Sequence, residues 1–151
     1  KNIEAYTYPL LRVDSNNLPE VFASCVFIEL NSATYLVTAA HAIRGNKSGL
    51  LTRGDGHLID IEGKTTLSQT EGKDHFDIAA VRISEHTVKE QRIKVVKRDN
   101  FTTNVEVTNP HSRAIAGYPA SMNKQAQILD KTNKVITAKS FTYIGFAVVQ
   151  R

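Results

Sequence analysis

One cysteine, Cys25, is all the thiol chemistry in these 151 residues. An intrachain disulfide is therefore impossible. That sets the chain apart from small disulfide-framed secreted domains and favours a cytosolic, reducing compartment, with secretion left open. Apolar runs are short, and none approaches the ~18 residues that a membrane-spanning helix needs, so no membrane partner is expected. The start carries no signal-peptide pattern, and its first residue is Lys1, as processing or trimming would leave it. There is no phosphate-binding Gly-x-x-x-x-Gly-Lys-Ser/Thr loop; Gly54-Asp55-Gly56 reads as a turn. Internal repeats and low-complexity tracts are absent. With a single thiol, a four-ligand zinc site has little to draw on beyond Asp74, His75 and Asp77, so neither a metal nor a cofactor is expected.

What is present is ordinary for a folded globular chain. Hydrophobic residues make up 41% and charged residues 23%, enough to bury a core. The formal net charge is +4, with much of the excess in Lys89, Arg92, Lys94, Lys97 and Arg98 against Glu90 alone. A basic stretch can hold phosphate. This one lacks the interleaved aromatics of strand-binding surfaces, so it reads as a solvated segment, and nucleic acid is not an expected partner. Cys25 lies within the apolar run Val21 to Leu30. A buried, unreactive thiol is expected there, because reactive thiols need an electropositive, partly exposed setting.

The pattern between turn signals is mostly β. Val21 to Leu30 and Thr34 to Thr38 read as a hairpin turning at Asn31, Ser32 and Ala33. Leu50 to Arg53 and His57 to Ile61 flank an Asp-Gly turn and make a second hairpin. Phe76 to Ile83 is a further strand. From Ser84 to Phe101 the chain is charged and reads as a short helix or a linker. Strand-like pieces resume at Val105 to Val107, Ala114 to Ala116, Ala126 to Leu129, Val135 to Ala138 and Phe141 to Val149. Many short strands with regular turn signals point to a sandwich or barrel.

Two motifs carry chemistry: Leu36-Val37-Thr38-Ala39-Ala40-His41, and His75-Phe76-Asp77-Ile78-Ala79-Ala80-Val81. The histidine and the aspartate are 36 positions apart. In this order and spacing the pair resembles the chymotrypsin-like serine peptidases, in which one strand ends in Thr-Ala-Ala-His and a later one opens with Asp-Ile-Ala. That fold runs His, then Asp, then Ser along the chain. Ala42 follows His41 where secreted members carry cysteine, which resembles the bacterial or intracellular branch and agrees with the lone Cys25. Ala114 to Pro119 is similar to the Gly-Tyr-Pro segment early in the second barrel of such enzymes. The likeness runs over residues 18 to 148 and is most specific from 34 to 81.

The resemblance implies an all-β, chymotrypsin-like double barrel. Residues 1–85 would form a complete first barrel of six strands, 86–104 a linker, and 105–151 the opening part of a second barrel. His41 would act as general base and then general acid, and Asp77 would orient it. The substrate would be a protein or peptide. One departure is large: no Gly-x-Ser-Gly motif occurs, and none of the nine serines has the glycine-flanked setting of a nucleophile. The expected partner is thus a C-terminal part of the same protein carrying the serine, and the chain alone would be inactive. A bacterial cytoplasm is the expected location. Two other classes stand beside this reading. One is an inactive pseudo-peptidase that serves as a protein-binding module; the other is a nucleic-acid-binding barrel, which leaves the spacing of His41 and Asp77 unexplained. The blander readings are a plain surface or core histidine at His41 and a strand-capping aspartate at Asp77. His57, His86 and His111 read as surface residues.

Overall fold

Strand formation starts earlier than the apolar runs suggest. The computed structural model describes residues 3–15, 18–44, 50–54, 57–68, 75–101, 112–123, 127–130 and 135–146. A short turn of 3-10 helix, Ile3–Tyr6, leads into β1, Thr7–Val13. Then come β2, Pro19–Leu30, and β3, Ala33–Ala39. The hairpin between them turns on Asn31 (φ 50) and Ser32 (φ 61), both left-handed. Such primed turns match the twist of the strands they join. A four-residue helix, α1, covers Ala40–Ile43. It is followed by β4, Leu50–Gly54, β5, His57–Ile61, β6, Thr65–Leu67, and β7, Ile78–Ile83. Beyond lie α2, Glu85–Glu90, β8, Ser112–Gly117, β9, Gln127–Asp130, β10, Val135–Thr137, and β11, Phe141–Phe146. The fold is all-β, and every pairing between these strands is antiparallel. Among the described residues no helix is long and apolar enough to cross a membrane.

Nine strands form one sheet in the order β6-β7-β3-β2-β1-β4-β5-β10-β9. Its first seven members begin with β6 and end with β5, yet only Glu62, Gly63 and Lys64 separate those two strands in the chain. Laid flat, six inter-strand steps would put them roughly 29 Å apart. The link from Ile61 to Thr65 reaches at most ~14 Å. The sheet therefore curls, bringing its β6 end back within reach of β5. Its concave side is filled by Leu10, Cys25, Phe27, Leu36, Ile59, Ile61, Val81 and Ile83. The alternation of β3 and β7 supplies much of this: Leu36 faces in from one, and Ala79, Val81 and Ile83 from the other. Tyr8 packs edge-on against Phe27, with ring centroids 5.2 Å apart.

The charged stretch after β7 lies on this sheet rather than standing off it. Ser84 caps α2, its Oγ accepting from Thr87 N–H at 3.1 Å. Ile93 is buried in the core, and Lys94 N–H donates to the Tyr8 hydroxyl at 2.8 Å. Val96 exchanges backbone bonds with β2: Glu29 N–H reaches its carbonyl at 3.0 Å, and its own N–H reaches Phe27 O at 2.8 Å. Lys89, Arg92, Lys94, Lys97 and Arg98 are all exposed, so the basic side chains form a solvated face, as expected. The strand pieces assigned to a second unit divide. β10 meets β5 at one position, Val135 opposite His57, and carries β9 with it; β8 and β11 pair separately, from Gly117 opposite Phe141 to Ser112 opposite Phe146. Val105 to Val107 and His111 lie outside the described residues.

Candidate catalytic pair

Antiparallel neighbours put the two motifs together. Ala39, the last residue of β3, lies opposite Ile78, the first of β7. One step beyond the paired region, Ala40 N–H donates to Asp77 O at 2.8 Å. Ala40 is fully buried, and its small side chain lets α1 turn tightly behind the strand end. His41 then stands directly over Asp77. The aspartate is left-handed, with φ 50, a conformation that Asp tolerates better than most residues. Its carboxylate serves one partner twice. Oδ1 accepts the His41 backbone N–H at 2.8 Å, and Oδ2 lies 2.5 Å from His41 Nδ1. A carboxylate only accepts, so Nδ1 carries the proton and the neutral ring keeps its lone pair on Nε2. This tautomer is the one that a general base at Nε2 needs.

The pair is open. The His41 side chain is 74% exposed and that of Asp77 40%. Apolar residues stand on either side of the aspartate: Phe76 is 77% and Ile78 48% exposed. On the neighbouring strand Thr38 Oγ1 donates to Ser24 O at 2.8 Å, and Ser24 Oγ accepts Tyr118 N–H at 2.7 Å. The end of β8 is thereby moored beside the strand end that bears His41. Gly117 permits this approach, since a Cβ there would sit 3.1 Å from Ser24 Oγ. Among the described residues no serine hydroxyl bonds to His41.

Cys25 is not poised as a reactive thiol. It is buried, and burial pushes its thiol up to about 12, against a smaller opposing pull from the Thr52 hydroxyl. His57 is exposed on β5. His86 is exposed too, and pairs with Glu90 one turn on, at 3.4 Å, a partner the sequence reading did not identify. Among the described residues no three His, Cys, Asp or Glu side chains are placed to hold a metal; Asp74 lies outside them. Strand β7 begins at Ile78 instead of Phe76 because Asp77 breaks the extended backbone. Sequence reasoning also missed Ser68, whose hydroxyl accepts Ile78 N–H at 2.9 Å. A serine in a polar segment between two glycines gives no sign of such a role. No family model, curated protein or solved structure matches this chain.

Proposed function

We propose that this chain is the histidine- and aspartate-bearing part of a serine endopeptidase domain with a chymotrypsin-like double barrel. A protein or peptide is the substrate. His41 Nε2 takes the proton of an attacking serine hydroxyl and later gives it to the leaving amine, while Asp77 holds the tautomer and stabilises the imidazolium between the two steps. The serine and its oxyanion donors come from residues outside these 151, because no Gly-x-Ser-Gly motif occurs within them. The observation that carries this reading is the double hold of Asp77 on the backbone and ring of His41. The barrel part of the reading draws on the curled sheet. If β5 and β6 are counted as the halves of one strand, it has six strands, and Gly63 marks the bend.

The test is an intact mass on native protein treated with a fluorophosphonate before denaturation. A labelled species, with the label on a serine outside this chain and absent in His41→Ala, supports hydrolysis. Asp77→Asn should then slow turnover by about 10⁴-fold, from the wrong tautomer. A full-length protein that takes no label and cleaves no peptide leaves the second reading, an inactive barrel that binds proteins. That reading is motivated by the missing serine motif and the exposed Phe76 and Ile78.

A further inference from the structure

We propose that Ser68 is a positioning residue for the His41–Asp77 pair, its hydroxyl serving as the final acceptor of the β6–β7 ladder and so holding Asp77 in its left-handed conformation. This rests on the peptidase reading for its purpose, though not for its geometry. The ladder pairs Thr65 with Val81, Thr66 with Ala80 and Leu67 with Ala79. The next step brings Ser68 to Ile78. Ser68 N–H donates to Ile78 O at 2.7 Å, as a ladder bond should. The Ile78 N–H donates to Ser68 Oγ at 2.9 Å, so a side chain stands in for a backbone carbonyl.

The residue so clamped is the one directly after Asp77. On its other side Ile78 lies opposite Ala39 in β3, and Asp77 O accepts Ala40 N–H at 2.8 Å. The peptide that joins Asp77 to Ile78 is therefore held from both sides, by Ala40 just past the end of β3 and by Ser68 just past the end of β6. A non-glycine residue at φ 50 persists where its surroundings over-determine it. Here that conformation turns both carboxylate oxygens toward His41. Ile78 is half-exposed, so water can satisfy its N–H when the hydroxyl is removed. The fold then survives, while the aim of the carboxylate is lost.

The experiment is proton NMR of the chain, reading the His41 Nδ1–H resonance well downfield of the amides, with amide spectra to verify the fold. Ser68→Ala should lose or broaden that resonance through faster exchange with water. Ser68→Thr, which keeps the hydroxyl, should restore it. Thr66→Ala, which trims an exposed side chain on the same strand, should leave it in place. A resonance unchanged in a folded Ser68→Ala chain overturns the proposal. So does equal loss in Thr66→Ala, which would mean that any weakening of β6 suffices. Should Ser68→Ala lose its dispersed spectrum, Ser68→Cys, a weaker acceptor, takes its place. Loss in the Cys variant with retention in Thr then supports the role, and retention in both refutes it. A wild-type chain with no such resonance counts against the His41–Asp77 bond itself, and with it the peptidase reading.

Discussion

Gly63→Ala asks the sheet to accept a methyl group where it has no room. The new Cβ would lie 1.9 Å from the carbonyl oxygen of Arg82, 3.0 Å from its carbonyl carbon and 3.2 Å from Val81 Cγ1. The first two are backbone atoms of β7, so no side-chain rotation gives relief. Carbon–oxygen contacts settle beyond ~3.3 Å, so the bend between β5 and β6 must back away from β7 by about 1 Å or more. Overpacking of this kind costs about 1–3 kcal/mol. The Lys64–Arg82 backbone bond, 3.1 Å long, lies next to the displaced residue, and its loss adds ~1 kcal/mol. The stiffer unfolded chain offsets about 0.4–1 kcal/mol. A net loss of about 2 kcal/mol lowers Tm by roughly 4–8 °C in a chain of this size. Thermal melts followed by circular dichroism measure it, with urea titrations to verify an unchanged m-value. A Tm within about 1 °C of the parent would refute the close approach, and with it the account of how the sheet's ends meet.

Phe27→Ala removes a fully buried ring and its edge-on partner for Tyr8. A loss of about 3–5 kcal/mol is expected from the urea midpoint. The buried Asn123 side chain donates to Pro119 O and Lys139 O at 2.9 and 3.1 Å and accepts Lys139 N–H at 2.8 Å. Asn123→Ala strands those three groups and should cost roughly 2–3 kcal/mol in the same assay. Native Cys25 should resist thiol reagents at about pH 8 and react once the chain is unfolded; rapid native labelling would contradict its burial. Its folded value, about 12, lies above the ordinary 9.0, so the unfolded chain sheds this proton first as pH rises. Stability from this group is therefore intact below about 9 and declines from there toward 12. Cys25→Ala should lack that part of the alkaline decline in a pH series of urea melts.

The candidate pair was legible because its residues carry chemistry in a fixed order, and because small alanines beside both motifs mark where strands turn. The hairpins of β2–β3 and β4–β5 were legible from apolar runs bounded by turn residues. Strand β1 was not. Its burial falls on Thr7 and then on Pro9, Leu10 and Leu11 in succession, because a bulge between Leu10 and Leu11 shifts the register with β2. That breaks the period of two that a reader seeks. Strand β6 was hidden by brevity and exposure, since Thr65 and Thr66 face solvent. The stretch after β7 concealed Ile93 among charges, although that buried side chain helps pack the segment on the sheet. Ser68 was beyond reach for a different reason: its role depends on where Ile78 lies, and no local pattern encodes a partner ten positions away.

The short link between the sheet's two ends also sets where the molecule tolerates a severed backbone. A protease cut between the exposed Asn31 and Ser32 opens a turn. It leaves β2 and β3 zipped together at five positions, with β1 and β7 on their outer sides. A cut at Gly63 leaves β6 attached to the sheet through three pairings to β7 alone, and these lead directly to Ser68 and Ile78. The first nick should be silent at His41; the second should be felt there, although Gly63 lies outside the paired residues of the site.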